Sequence, residues 1–268
     1  EFRSEVVRRK DLFVAVFANL AHNENRILKI SESLKAYNDR VKDHFANSNR
    51  FDGSNTQPFT QYVEGGSQTS IWGVPSLGID PATGEEIFIR PDGSITNTWN
   101  TNDQVVLGDT EPKIQGTFGL NATYKNLSLY MTFMYEAGGQ IYNSTLRDKV
   151  EDVNVYTSNV DKRVFSERWQ EPGDKARYRK LTSGVGGSIM RTRPTSRFVE
   201  DNNVLTLNSI SLGYDFDAGQ KWMKTIGLSM LRFEIGANDV CRWSSVKVER
   251  GLNYPYARSF NFSLKAAF

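Results

Sequence analysis

The stretch Ser259-Phe-Asn-Phe-Ser-Leu-Lys-Ala-Ala-Phe268 alternates without a break. Phe260, Phe262, Leu264, Ala266 and Phe268 fall on one side, and Ser259, Asn261, Ser263, Lys265 and Ala267 on the other. A period of two describes a β-strand with one apolar and one polar face. At the edge of a soluble sheet such a strand invites edge-to-edge pairing. In the wall of a transmembrane barrel the pattern is required, because lipid takes the apolar face, the lumen takes the polar face, and closure removes the edge. This feature predicts an all-β chain: an antiparallel transmembrane β-barrel portion of about six membrane strands with long extracellular loops.

Other segments repeat the pattern. Ile114, Phe118, Leu120, Ala122 and Tyr124 oppose Gln115, Thr117, Asn121 and Thr123; a two-residue step, Lys125-Asn126, then leads into Leu127, Leu129, Met131, Phe133 and Tyr135 opposing Ser128, Thr132 and Glu136. These spacings predict a tight hairpin with both apolar faces on the same side, although Tyr130 and Met134 interrupt the polar face. Ile210, Leu212, Tyr214 and Phe216 form a fourth stripe, and Leu231, Phe233, Ile235 and Ala237 a fifth. The apolar phase switches upstream to Leu205 and Leu207, which predicts a bulge or the membrane boundary. The segment Asp11 to Ala21 is apolar on both faces and is assigned as a strand. If Leu231 lies level with Phe268, Glu234 faces Lys265 across the last two strands, an ion pair contributing roughly 0.2–1 kcal/mol.

The connections are unequal. The loops 22–111 and 137–203 are long, 239–258 is intermediate, and 217–230 is moderate with one helical turn expected at Lys221-Trp-Met-Lys224. With Phe268 set at the periplasmic side, the strands alternate in direction so that every long loop emerges outside and the short turns face the periplasm. Within the first long loop, Ser70-Ile-Trp-Gly-Val-Pro, Gly78 to Gly84 and Glu86 to Ile89 read as a small hairpin around a Pro/Gly turn. Ile27 to His44 reads as a short helix, followed by a polar linker from Asn47 to Gln57.

Composition narrows the classes of function. Lys and Arg number 33 against 31 Asp and Glu, a net charge of +2, so no nucleic-acid partner or polybasic tether is indicated. The single cysteine, Cys241, leaves no intrachain disulfide and no cysteine-based metal cage. No apolar run reaches the ~18 residues of a transmembrane helix, a test to which barrel strands are invisible. Glu1-Phe-Arg-Ser-Glu begins without the charged start and apolar run of a signal peptide, so the chain reads as a mature or C-terminal part of something longer.

Catalytic and metal-binding patterns are weak. His22 and His44 have no Cys or carboxylate at ligand spacing and read as surface or loop residues. Gly184-Val-Gly-Gly187 lacks the strand–helix context of a phosphate loop. Asp80, Asp92 and Asp103 do not follow calcium-loop spacing, and turn chemistry explains the first two. Sequons such as Asn121-Ala-Thr123 fall inside expected strands. No catalytic residue, metal site or cofactor is assigned.

A set of short stretches, in order along nearly the whole chain, resembles the C-terminal part of the SusC/RagA-like TonB-dependent outer-membrane transporters. They are Ala18 to Ile30 (ANLAHNENRILKI), Gly65 to Gly73 (GGSQTSIWG), Gly78 to Glu85 (GIDPATGE), Leu107 to Lys113 (LGDTEPK), Arg168 to Asp174 (RWQEPGD), Ser196 to Asp201 (SRFVED) with Ile210 to Tyr214 (ISLGY), and Tyr254 to Phe260 (YPYARSF). The resemblance implies a plugged barrel importing an oligosaccharide or peptide substrate with energy relayed by the TonB complex, and a SusD-like surface lipoprotein closing it as a lid. It also implies recognition of the terminal Phe268 by the barrel-assembly machinery. The plug domain, the TonB box and the N-terminal barrel half have no counterpart in these residues, and Asp239-Val-Cys-Arg242 departs from the family's apolar continuation.

Four tryptophans in expected extracellular segments, Trp72, Trp99, Trp169 and Trp243, are candidate substrate or lid contacts, since sugar rings and peptide side chains stack on such faces. The simpler reading makes them small cores within the loops. Tyr124, Tyr135, Tyr214 and Trp222 fit an interfacial aromatic girdle beside outer-membrane lipid. Two classes of function stand: part of an outer-membrane importer, and a soluble β-rich carbohydrate-binding module or hydrolase fragment, which would need a second sheet against its apolar faces.

Overall fold

The structure is a computed structural model and describes residues 1–49, 51, 53–157, 159–182, 189–217, 219–247 and 258–268. Its strands are β1 (Phe2–Arg8), β2 (Leu12–Ala21), β3 (Ser70–Gly73), β4 (Ser76–Ile79), β5 (Glu86–Ile89), β6 (Ile95–Thr96), β7 (Val105–Asp109), β8 (Ile114–Tyr124), β9 (Leu127–Tyr142), β10 (Val199–Phe216), β11 (Met230–Ser244) and β12 (Ser259–Ala267). Seven of them, in the order β1-β2-β8-β9-β10-β11-β12, form one sheet in which each neighbouring pair is antiparallel.

Alternation carries through the sheet as continuous rows. Val16, Leu120, Met131, Ile210, Ala237 and Phe260 stand in succession across six strands, and one position along each strand Ala15, Asn121, Tyr130, Ser211, Gly236 and Asn261 form the opposite row. The apolar face is open: Leu212, Ile235 and Phe262 remain exposed, and no second sheet packs there among the described residues. The phase switch in β10 is a bulge at Asn208, between Leu207 and Ser209, which returns Leu205 and Leu207 to the apolar face opposite Tyr135 and Phe133.

Three features differ from the sequence reading. First, the wall has seven strands rather than about six. β1 hides because a bulge at Val6 reverses its alternation midway, and because Arg3, Glu5 and Arg8 dilute its apolar signal. Second, the long loops are shorter than expected, since β9 runs to Tyr142, β10 begins at Val199 and β11 runs to Ser244. Third, the register of β11 on β12 is one pair step away: Glu234 stands opposite Ser263, and Arg232 opposite Lys265. The expected Glu234–Lys265 pair is replaced by Arg232, whose guanidinium lies 3.5 Å from Glu234 and 3.1 Å from Asp215. Arg232 also donates to Ser128 two strands away (3.0 Å). Gly213 makes this crossing possible, because a Cβ there would sit 2.7 Å from the Arg232 guanidinium.

The polar face carries aromatic side chains where β2 meets β8 and β9. Phe17 and Tyr130 stack at 6.0 Å over Gly119, where a Cβ would come within 2.5 Å of the Phe17 ring. This accounts for the apolar inner side of β2 and for Tyr130 on a polar face. The short turns lie together at one end of the sheet. Lys125 adopts a left-handed φ of 52° in the β8–β9 turn, and a helix at Lys221–Thr225 lies between β10 and β11 as expected. Tyr214, Phe216 and Trp222 pack edge to face at that end.

At the other end, the connections 22–113 and 143–198 fold on each other. Helix α1 (Glu32–Asn47) begins at an N-cap in which Ser31 Oγ accepts from the Leu34 amide, several residues later than the expected Ile27 start. The expected linker from Asn47 contains a short 3₁₀ turn, Gly53–Asn55, with Asn55 buried. β4, β5 and β6 form the expected hairpin and a third strand, but β3 pairs with β7 instead. Gly184 to Gly187 and Tyr254 to Tyr256 lie outside the described residues.

Candidate functional site

Neither long connection has a continuous amphipathic pattern, and the two build their cores by sharing side chains. Val41 and Phe45 of α1 meet Val74, Phe88 and Trp99, while Leu146, Val150, Val153, Val164, Tyr178 and Phe198 form a second cluster. Trp99 is buried, with its ring 5.3 Å from Phe45, its face covered by Arg193 at 4.8 Å, and its indole N–H donating to Pro194 O at 3.0 Å. A tryptophan of the first loop is thus anchored by two residues of the second.

Between the clusters runs a network of buried charges. Arg197 Nη2 donates to Glu86 Oε2 and to Glu151 Oε1, each at 2.8 Å. Arg179 lies 3.3 Å from Glu151 and 3.0 Å from Asp152. Asp152 also accepts from the amide and the hydroxyl of Thr192, both at 2.7 Å. Arg168 is satisfied by carbonyls instead, including Val164 O at 3.0 Å and Arg179 O at 2.7 Å. Burial pushes the Glu86 carboxyl upward, but the charge and hydrogen bonds of Arg197, with help from Ser76 and Thr195, outweigh it and hold the group below the usual range. Glu86 belongs to the first loop, and Arg197, Glu151, Arg179 and Asp152 to the second. These charges are scattered in sequence, and no local spacing announced them.

The other tryptophans take three different positions. Trp169 donates to Pro81 O at 2.9 Å and lies over Gly84, where φ is +70° and a Cβ would be 2.5 Å from the ring. It staples the β4–β5 turn to the second loop, and its outer side borders a groove of about 360 Å3 with Phe165 and Leu181. Trp72 is half-buried in β3, with no partner for its indole N–H among the described residues. Trp243 is in strand β11, opposite Leu205 on the apolar face, and is 53% exposed. The four do not converge on one surface.

The polar candidates have local roles. Asp80 accepts from the Ala82 amide and the Thr83 hydroxyl, and Asp92 from the amide and hydroxyl of Ser94, so both close turns. Asp103 faces Arg90 at 4.0 Å. His44 packs edge-on against Phe45 and Phe59, and His22 Nδ1 meets the carbonyl of Lys113.

A polar cleft of about 720 Å3 lies where the loops join the sheet. Its floor is knitted by Asn25 donating to Glu111 and Thr69, by Thr69 donating to Asp109, and by Gln140, which accepts from the Asp109 amide (3.1 Å) and donates to Asp201 (3.2 Å). Gly108 has no room for a side chain because Gln140 Oε1 occupies that space.

No protein-family model matches the chain. It is similar to two proteins of Formosa agariphila. TonB-dependent receptor P3 is 23% identical over 291 residues, covering 99% of this chain and 28% of the relative, and TonB-dependent receptor P26 is 24% identical over 149 residues, covering 56% and 14%. Among solved structures it resembles the RagAB peptide importer in its closed-closed state (TM-score 0.72, 20% identity) and its open-open state (TM-score 0.71, 22% identity), each over 99% of this chain and 28% of that one. The chain therefore spans little more than a quarter of the length of these proteins, and the seven-stranded sheet is one part of an antiparallel transmembrane barrel. In its sequence relatives and its fold together, the chain resembles part of a SusC/RagA-like TonB-dependent transporter of the bacterial outer membrane.

Proposed function

We propose that the chain supplies the C-terminal portion of the barrel of an energised outer-membrane importer, with the connections 22–113 and 143–198 extracellular. The observation that carries this reading is the match of a two-faced, seven-stranded sheet and its loop cap to a peptide importer over 99% of the chain. The substrate is an oligosaccharide or a peptide, the TonB complex supplies energy to the whole transporter, and a SusD-like lipoprotein closes over the loop cap. The function is transport, not catalysis. Within the cap, Trp72 and Trp169 keep enough free surface to meet substrate or lid. Trp99 serves as a core anchor, and Trp243 as an interfacial residue facing lipid. The experiment is uptake: cells lacking the full-length transporter should lose TonB-dependent accumulation of one class of labelled oligomer, either oligopeptide or oligosaccharide, and regain it on complementation. Unchanged accumulation of both classes would sink the reading.

A further inference from the structure

The turn end of the sheet carries a charge pattern that the import function does not use. Leu12, Tyr124, Leu127, Tyr214, Phe233 and Leu264 form the last row of the apolar face to cross six strands, four residues along each strand from the row through Ile210. All but Leu12 are exposed. Phe216, two residues beyond Tyr214, meets the Trp222 ring edge to face at 5.8 Å, so the helix Lys221–Thr225 folds toward the apolar side of the wall. Met223 is fully buried and fixes this helix, while Trp222 and Ile226, one helical turn apart, stay exposed. In a membrane wall, aromatic rings in such a row sit at headgroup level.

Just beyond the row lies a ribbon of cations. Arg9 and Lys10 are in the β1–β2 turn, Lys125 in the β8–β9 turn, and Lys221 and Lys224 in the helix. All five are exposed, and none has an ion pair among the described residues. Backbone bonds set the turns side by side: the Lys125 amide donates to Asp11 O at 2.8 Å, and the Asp215 amide to Asn126 O at 2.9 Å. Lys125 Nζ lies 5.5 Å from the centre of the Tyr124 ring, which draws it to the apolar side. The carboxylates nearby do not balance these charges. Asp215 is held by Arg232 on the polar face, and the turns themselves contribute Asp11 and Asp217. Lysine stems lying along apolar surface carry their ammonium groups to the level of lipid phosphates. Unpaired cations above an aromatic row therefore complement a lipid with net negative charge better than a zwitterion.

We propose that the turn end of this wall is a binding surface for anionic phospholipid headgroups, those of the inner leaflet in the orientation given above. Such a surface exists only if the sheet is a membrane wall, so one probe is needed for each. The full-length transporter, in a Cys241→Ser background, carries a fluorophore at Ile226→Cys, or at Leu212→Cys on the open apolar face. It is reconstituted in phosphatidylcholine vesicles holding a small, equal fraction of phosphatidylglycerol or phosphatidylcholine with a nitroxide on the acyl chain. At position 226 the labelled phosphatidylglycerol should quench roughly threefold more than the labelled phosphatidylcholine. Lys125→Gln with Lys221→Gln and Lys224→Gln should abolish that preference. The charge-matched control Lys42→Gln with Lys149→Gln and Lys175→Gln, on exposed cap residues, should keep it. Equal quenching by the two lipids at 226 would overturn the surface and leave its cations to an acidic protein partner. A preference that survives in the first variant, or is lost in the control, would overturn it too, the latter by tracing it to overall charge. Quenching at 212 without quenching at 226 would overturn it with the wall intact, whereas no quenching at either position would remove the wall itself.

Discussion

Arg197 and Glu86, 111 residues apart, meet through a hydrogen bond of 2.8 Å with both side chains largely withdrawn from water. Glu86 is on β5 in the first long connection, and Arg197 is at the end of the second, immediately before β10. Because Arg197 also holds Glu151, one guanidinium joins the two connections into a single cap. Isolated surface pairs contribute little, but removing one partner of a buried network strands the others without solvent.

Arg197→Ala should therefore destabilise the cap by about 3–5 kcal/mol, leaving Glu86 and Glu151 buried and uncompensated. The membrane strands should remain intact. Limited proteolysis would read this as cleavage in both long connections with the barrel core preserved. Cleavage confined to residues near 197 would show that the two connections are not coupled.

The same pair sets a pH dependence. The Glu86 carboxyl is held below its usual value in the folded cap, so its stabilisation is fully present above about pH 4.5, the ordinary value, and is lost as pH falls through the depressed one. Hydrogen exchange in β4 and β5 should be flat from pH 7 to about 5 after correction for intrinsic rates, and should accelerate in stronger acid. Glu86→Gln should remove that component of the acid response. An unaltered acid response in the variant would place the sensitivity on other carboxylates.

Trp99 and Trp243 separate core from surface. Trp99→Ala should cost the cap about 3–5 kcal/mol, because it vacates a space packed by Phe45 and Arg193. Trp243→Ala, on an exposed strand position, should leave cap protease resistance unchanged. Similar losses of cap resistance in the two variants would contradict their placement.

Gly213→Val tests the bridge across three strands. A side chain at 213 would meet Ser128 Oγ at 2.6 Å and the Arg232 guanidinium at 2.7 Å, displacing Arg232 from Ser128. Overpacking of this kind costs about 1–3 kcal/mol, and it should lower the heat-modification midpoint of the full-length barrel. Adding Arg232→Ser should recover much of the loss by vacating the space. No recovery would mean that the backbone, not Arg232, sets the limit.

Orientation is open to direct labelling. In a Cys241→Ser background, cysteines at Lys149 and Asp92 should react with an impermeant maleimide on intact cells. One at Asn126, in the β8–β9 turn, should react only after the outer membrane is permeabilised. The opposite pattern would invert the proposed topology.

The sheet was legible in the sequence because lipid on one side and water on the other force each wall strand into strict alternation. The bulge at Asn208 was visible because it shifts that alternation by one residue. A bulge in the middle of the short strand β1 had the reverse effect, since neither half was long enough to show a period. Register was one step out because face alone does not fix it: several registers keep the same face inward. Within the cap the β4–β5 hairpin and a helix were legible, but the shared core was not, because its residues come from distant segments of irregular backbone that has no period. Trp99 and Trp169 look alike in sequence as loop aromatics. Only the approach of the second connection makes the first a buried anchor and the second a staple.

The projection of β9 and β10 beyond the apolar band, to Tyr142 and Val199, has a mechanical result. Their extra pairs form a two-stranded post whose ladder shifts register between Asn202 and Val204, and it is braced there, where Asn203 accepts from the Gly138 amide through its side chain and exchanges hydrogen bonds with Ser245. A cap carried on such a post resists tilting, since bending it means tearing ladder hydrogen bonds rather than rotating a loop. This stretch of wall thus ties the second connection to the sheet through paired strands at both of its ends, where the Asn143 amide donates to Phe198 O.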